Sequence, residues 1–179
     1  LLQLGAGNNQ ELAPLLDSLL GALGRIGDFQ VVNAEWLIAE HGLDAWPNLK
    51  VLRGFPNALY YRAFDFVVSA VGYNTFHELI AYGIPTLFVP NENVMTDDQL
   101  GRARFAEEEG LGFCMRAYEL DRSEALLARL ADPAERRLIT ERCRRLRQPN
   151  GAEVAARRIV ELVGGGATAP APAFERVSG

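Results

Sequence analysis

Several things the chain lacks narrow its function before any motif is considered. Only two cysteines, Cys114 and Cys143, occur in 179 residues, and neither has neighbours at metal-ligand spacing or a partner set that would make a disulfide framework. Both fall in apolar or helical patterns, so they are expected to be free thiols in a reducing compartment. No apolar run approaches the roughly 18 residues of a spanning helix, and no signal peptide is visible; a soluble, cytoplasmic protein is expected. Histidine is scarce as well. His41 precedes Gly42 at an expected helix end and His77 lies within a helical turn, and neither place suits a catalytic base. Positive charge is in deficit too: the formal net charge is −5, whereas a duplex-binding surface needs Lys and Arg to replace counterions along the phosphates. Nucleic acid is therefore not expected as a partner, although a small anion can still bind through backbone amides.

What remains is a chain that is 49% hydrophobic and 23% charged, the composition of one globular domain able to bury a full core. It opens on Leu, and LLQLGAG reads as a buried strand running into a glycine loop, so the expectation is an excised domain that begins inside a fold. Short apolar runs alternate with longer amphipathic segments, the pattern of a parallel sheet wrapped by helices. Six strands are predicted, at Leu1–Leu4, Phe29–Val32, Lys50–Leu52, Phe66–Ser69, Thr86–Val89 and Gly112–Met115. Helices are predicted near Gln10–Leu23, Asn57–Ala63, Thr75–Tyr82, Asp97–Glu109, Arg122–Leu130, Ala134–Leu146 and Ala152–Val163. The fold class is α/β, a Rossmann-like six-stranded parallel sheet with helices on both faces. Gly83 followed by Pro85 marks one helix stop, and Asp132-Pro133 marks a helix start with a cap and a proline at the first helical position. The globular domain is expected to occupy residues 1–163, and the Gly/Ala/Pro-rich residues 164–179 a tail or linker.

In an open parallel sheet, ligands collect outside the carboxyl ends of the strands. Three loops there carry chemistry. The first, Gly5-Ala6-Gly7-Asn8-Asn9-Gln10, has glycines that let a backbone approach an anion, followed by a helix start whose free amides and dipole suit a phosphate. A tight turn with no ligand explains it equally well. A dinucleotide fingerprint fits less well, because the third glycine of GxGxxG is missing, although Glu35 after the second strand keeps a nicotinamide-binding domain as an outside alternative.

The second loop is Gly72-Tyr73-Asn74-Thr75-Phe76-His77-Glu78. With the helix beginning at Thr75, Glu78 lies one turn in, where a carboxylate can accept two hydrogen bonds from a vicinal ribose diol. Thr75-x-x-Glu78 is also a capping box, and on spacing alone that reading leads. The third loop, Pro90 to Gln99, feeds a helix start rich in Thr, Asp and Gln. Acids there serve the dipole; acids and amides also bind sugar hydroxyls. The adjacent Asp97 and Asp98 would point about 100° apart on a helix and make no ready metal clamp, so no metal is expected.

Taken together, FDFVVSAVGYNTFHELIAYGIPTLFVPNENVMTDDQLGRARFAEEEGLG resembles the C-terminal half of GT-B glycosyltransferases, family 28 and its UDP-glycosyltransferase-like relatives. With the glycine loop, the resemblance covers roughly residues 1–165. It implies a donor site for a UDP-sugar, with Gly72, Tyr73, Asn74 and Thr75 facing the diphosphate and Glu78 on the ribose. It implies that Asp98 and Gln99 contact the transferred sugar. Gly5, Gly7 and Asn8 would lie near the diphosphate and the domain cleft, and Phe55-Pro56 would hold the uracil edge. Many relatives carry a histidine or arginine two residues before the glycine matching Gly72; here that residue is Ala70, so phosphate binding falls to amides, the dipole or another side chain.

The activity so implied is hexosyl transfer from a UDP-sugar to an acceptor held by an absent N-terminal domain, which usually also brings the general base. No catalytic residue is therefore assigned to this chain, no cofactor beyond the donor is expected, and membrane contact is expected only through the missing domain. Two alternatives stay open: a non-catalytic donor-binding subunit of a split transferase, and one domain of a UDP-sugar epimerase. Tyr60, Tyr61 and Phe64 have the spacing of a helix face, for which core or cleft-wall packing is the default.

Overall fold

In the computed structural model, which describes residues 1–5, 9–34, 49–54, 56–93, 97–146 and 151–163, the apolar runs form one six-stranded sheet. Its strands are β1 (Leu2–Gln3), β2 (Val31–Ala34), β3 (Leu49–Leu52), β4 (Val67–Ser69), β5 (Thr86–Phe88) and β6 (Phe113–Cys114), in the order β3-β2-β1-β4-β5-β6. Every pairing is parallel. The helices are α1 (Asn9–Ile26), α2 (Tyr73–Tyr82), α3 (Gln99–Glu108), α4 (Ser123–Ala131), α5 (Pro133–Arg145) and α6 (Gly151–Val163).

This strand order decides where a ligand can bind. The chain builds outward from β1 to β3, then returns across β1 to start β4 and builds the other way. Right-handed crossovers therefore place α1 on one face of the sheet and α2 on the other. The crevice outside the carboxyl ends of β1 and β4 is the topological switch point. Gln3 pairs with Ser69 across that junction, and the Ala70 amide donates to the Gln3 carbonyl at 2.9 Å, so the loop after β1 and the loop after β4 leave the sheet side by side.

Apolar residues from both faces close over the central strands. Val67, Val68, Leu87 and Phe88 are buried, with Leu15, Leu19 and Leu23 of α1, Phe76 and Leu79 of α2, and Leu127 and Leu130 of α4. α1 packs against α4, and α2 against α5. Residues 1–147 form one compact unit; α6 belongs to a second, residues 148–179, and the expected tail at 164–179 lies outside the described residues.

Element ends differ from the sequence expectation in several places: β2 runs Val31–Ala34 where Phe29–Val32 was expected, and α1 continues to Ile26, past the expected Leu23. The segment Asn57–Ala63 is a 3₁₀ helix, not an α-helix: it follows Pro56, has no side-chain cap, buries only Tyr61, and is too short to recover the nucleation cost of an α-helix. α2 begins at Tyr73, two residues before the expected Thr75, because Gly72 is its N-cap and the Phe76 amide already bonds the Gly72 carbonyl at 2.9 Å. The Thr75–Glu78 capping box is thereby overturned, since Thr75 is the third residue inside the helix. α3 begins at Gln99, two residues after the expected Asp97, with Asp98 as a non-helical cap. Before α4, Leu120–Arg122 form a separate 3₁₀ turn. The other punctuation is as expected: Gly83 closes α2 at φ 69°, and the Asp132 side chain caps α5 ahead of Pro133.

Candidate functional site

The site is assembled from the turn after β4. Val71 is fully buried, and both of its backbone groups are bound by side chains of α3. Its N–H donates to the Gln99 Oε1 at 3.1 Å, and its carbonyl accepts from Arg102 Nε at 3.1 Å and Nη2 at 2.8 Å. Gln99 and Arg102 are three residues apart on a helix and so share a face. The same Gln99 oxygen takes the Asn91 amide at 3.0 Å, which ties the loop after β5 to the loop after β4. Gln99 is therefore buried for a structural reason, and its Nε2 has no partner among the described residues.

With Val71 fixed, Gly72 starts α2. Its φ of −59° is open to any residue, and a Cβ there would meet nothing within 4 Å. Neither backbone strain nor packing calls for glycine at this position. It also makes no side-chain cap, so the first amides of α2, on Tyr73, Asn74 and Thr75, have neither an intrahelical acceptor nor a capping oxygen. Gly5 is different. It lies at φ 83°, a left-handed conformation that costs other residues energy, so its glycine is accounted for by the turn. A Cβ on Gly5 would stand 3.8 Å from the Ala70 Cβ, which puts the β1 turn against the β4 turn.

A polar cluster flanks these turns. Tyr61, almost wholly buried, donates its hydroxyl to Gln3 Oε1 at 3.1 Å. Its phenol is pushed up from the ordinary tyrosine value, first by burial and also by the nearby Glu78 carboxylate. Thr75 and Glu78, on one face of α2 at a spacing of three, are thus gathered beside the end of β1. The spacing placed Tyr61 in the core or cleft wall; what it did not show is the hydroxyl's bond that joins the 3₁₀ turn to β1.

The remaining expected residues divide. Tyr73 and Asn74 are exposed, Tyr73 lying edge-on against His77 at 4.5 Å between centroids. Asp98 accepts the Gly101 amide at 2.8 Å as the cap of α3, and Asp97 pairs with Arg102 at 2.7 Å; each of the two acids has its own partner. Pro56 is exposed after β3, two strands from β1. Gly7, Asn8 and Phe55, together with Glu35 and His41, lie outside the described residues. A cleft of about 290 Å³ opens at the same rim, lined in part by Leu4, Ala70, Val89, Pro90, Asn91 and Tyr118. Beside it Arg116 is paired with Glu92 and lies over the Tyr118 ring at 4.7 Å. Arg102 was not foreseen: its partner Val71 is 31 residues away, a contact that periodicity within one helix does not reveal.

Comparison with known proteins adds four findings. The family model "Glycosyltransferase family 28 C-terminal domain" matches residues 19–158. A UDP-N-acetylglucosamine--N-acetylmuramyl-(pentapeptide) pyrophosphoryl-undecaprenol N-acetylglucosamine transferase of Azoarcus sp. (strain BH72) is 35% identical over 107 residues, covering 59% of this chain and 30% of that protein. Among solved structures, Acinetobacter baumannii MurG superposes with a TM-score of 0.65 at 19% identity, covering 91% of this chain and 50% of that one. The glycosyltransferase VinC in complex with dTDP gives 0.64 at 24% identity, covering 92% and 41%. These structures show the same GT-B glycosyltransferase fold, and the chain spans half or less of the length of each protein.

Proposed function

The chain belongs to the glycosyltransferase family 28 C-terminal domain family, and from that membership we propose that it is the donor-binding half of a two-domain glycosyltransferase, holding a UDP-sugar while a separate N-terminal domain presents the acceptor. The observation that carries the reading is Gly72: a glycine that neither strain nor packing requires, at the switch point, in front of three uncapped helix amides. Close approach of a ligand is the remaining physical reason for a missing Cβ there.

In this reading the diphosphate lies on the amides of Tyr73, Asn74 and Thr75. As the sugar leaves, negative charge grows on the diphosphate, and fixed amides with the α2 dipole stabilise it without reorganising. Charge stabilisation is assigned to these groups and not to a metal, since Asp97 is held by Arg102 and Asp98 by Gly101. Glu78 accepts hydrogen bonds from the ribose hydroxyls, and the backbone at Phe55-Pro56 borders the base. Gly5, Gly7 and Asn8 close the diphosphate side. The sugar extends toward Asp98 and the Gln99 Nε2. The name of the Azoarcus relative makes UDP-N-acetylglucosamine the first donor to try, with transfer in the cytoplasm to an acceptor held elsewhere.

Calorimetry tests the reading. UDP is expected to bind the wild-type chain more tightly than 2′-deoxy-UDP or dTDP. Glu78→Ala is expected to weaken UDP by about 1–3 kcal/mol through loss of charged hydrogen bonds and to abolish the preference for the 2′-hydroxyl. Absence of UDP binding to the folded domain, with the N-terminal half supplied as a control, rejects it.

A further inference from the structure

Resting on the donor reading above, the geometry points to Arg102 as the cation of the diphosphate site, delivered from α3 because the turn after β4 brings none of its own. Ala70, Val71 and Gly72 carry no charge, and among the described residues the cation bonded to that turn is Arg102. Its guanidinium grips the Val71 carbonyl with two nitrogens, at 3.1 and 2.8 Å. That carbonyl belongs to the peptide whose nitrogen is Gly72 N, so the guanidinium is one peptide unit from the residue that precedes the amides of Tyr73, Asn74 and Thr75. The guanidinium also lies 6.0 Å from the Tyr73 ring centroid, at the start of α2.

Two features indicate a role beyond bracing the loop. The side chain is only about one-fifth exposed, so its field is poorly screened and acts strongly on a neighbouring anion. The Nη1 group has no partner among the described residues, which leaves two N–H donors beyond those spent on Val71 and Asp97. The rim is otherwise acidic: Glu78, Asp97 and Asp98 stand around it, and the nearby Arg116 is already paired with Glu92. A diphosphate entering there meets repulsion that Arg102 offsets. Asp97, half-exposed at 2.7 Å, competes with the ligand for that charge.

Arg102 thus has two effects that different substitutions separate. It positions the Gly72 turn through the Val71 carbonyl, and it supplies charge to the phosphates. UDP, inorganic pyrophosphate and uridine are titrated by calorimetry into the 179-residue wild-type chain and into Arg102→Met, Arg102→Lys and Asp97→Asn. Thermal midpoints are recorded alongside. Arg102→Met is expected to weaken UDP and pyrophosphate by roughly 10- to 100-fold, the scale of one or two charged hydrogen bonds, with uridine affected less than threefold. Arg102→Lys restores part of the loss. Asp97→Asn, which leaves the Val71 contacts in place, tightens UDP severalfold and remains decisive if Arg102→Met fails to fold.

Unchanged UDP affinity in folded Arg102→Met overturns the assignment, as does equal weakening of UDP and uridine, or an Asp97→Asn variant that binds UDP no better than wild type. In each of those cases wild-type binding of UDP leaves the donor reading standing. If the wild-type chain binds neither UDP nor pyrophosphate, the donor reading fails and this assignment fails with it.

Discussion

At the scale of single residues, polar side chains of this domain are spent on holding backbone at the rim. Gln99 accepts two amides from two loops, Arg102 holds one carbonyl twice, and Tyr61 joins the 3₁₀ turn to β1 through its hydroxyl. Each satisfies backbone or side-chain groups that would otherwise be stranded as the loops turn away from the sheet. The cysteines do little of this work: Cys143 donates one weak bond, from Sγ to the Leu111 carbonyl at 3.7 Å. Both are buried and unpaired, and burial pushes each thiol up to about 11 from an unperturbed 9.0. A thiol whose folded value is raised favours the folded state fully below the unfolded value, and that contribution is lost as pH rises through about 9 to 11. Two consequences are expected. Iodoacetamide at pH 8 labels the native protein at least about 100-fold more slowly than the urea-unfolded chain, the factor set by two pH units of thiolate fraction, and the urea midpoint falls between pH 9 and 11. Serine at both positions removes the fall; rapid native labelling at pH 8 contradicts the burial of either thiol.

At the scale of elements, strand and helix existence was legible in the sequence and their starts were not. The period-2 and period-3.6 patterns report burial, which is continuous along a segment. A helix start depends on which residue leaves helical φ/ψ first. Gly72 and Asp98 do so here, moving α2 two residues earlier and α3 two residues later than expected. Those shifts change chemistry: Thr75 ceases to be a cap, and Asp98 becomes one. Glycine shows the same divide, because sequence names the residue without its reason. A Cβ on Gly112 would fall 2.6 Å from the Thr86 carbonyl oxygen and 2.8 Å from the Phe88 ring, so that glycine allows β6 to lie against β5. Gly112→Ala is therefore expected to destabilise by about 1–3 kcal/mol through overpacking. Gly72→Ala is expected to change stability by no more than about 1 kcal/mol while lowering UDP affinity at least tenfold, since its methyl projects into the space assigned to the diphosphate. Urea unfolding and calorimetry on both variants check the contrast. Equal destabilisation, with UDP affinity retained in Gly72→Ala, would make Gly72 a structural glycine and remove the main support for the donor site.

At the scale of the whole molecule, the sheet order converts a list of motifs into one place. The sequence put glycines after β1 and β4, and only the return of the chain across β1 sets those turns against each other. The resemblance to family 28 made that juxtaposition foreseeable; composition and spacing alone did not. Three acids near the described rim are already engaged: Glu92 by Arg116, Asp97 by Arg102, and Asp98 by the start of α3; Glu78 is assigned to the ribose in the donor reading. His77 is turned against Tyr73 and Phe76. A general base must lie within hydrogen-bond reach of the acceptor hydroxyl and be free to take its proton, and Glu92, Asp97 and Asp98 are held by partners of their own. Donor binding and transfer should therefore separate. The 179-residue chain is expected to bind UDP yet release none from UDP-N-acetylglucosamine above the uncatalysed rate, and to leave the sugar unepimerised. Joined to an N-terminal half of a family 28 enzyme, it should gain turnover without a large change in UDP affinity, because the new domain adds a base and an acceptor groove to a donor site already formed. Turnover by the isolated chain, followed by UDP release and by product analysis, would show that a base lies within these residues after all; epimerised nucleotide sugar in the absence of acceptor would move the chemistry from transfer to isomerisation.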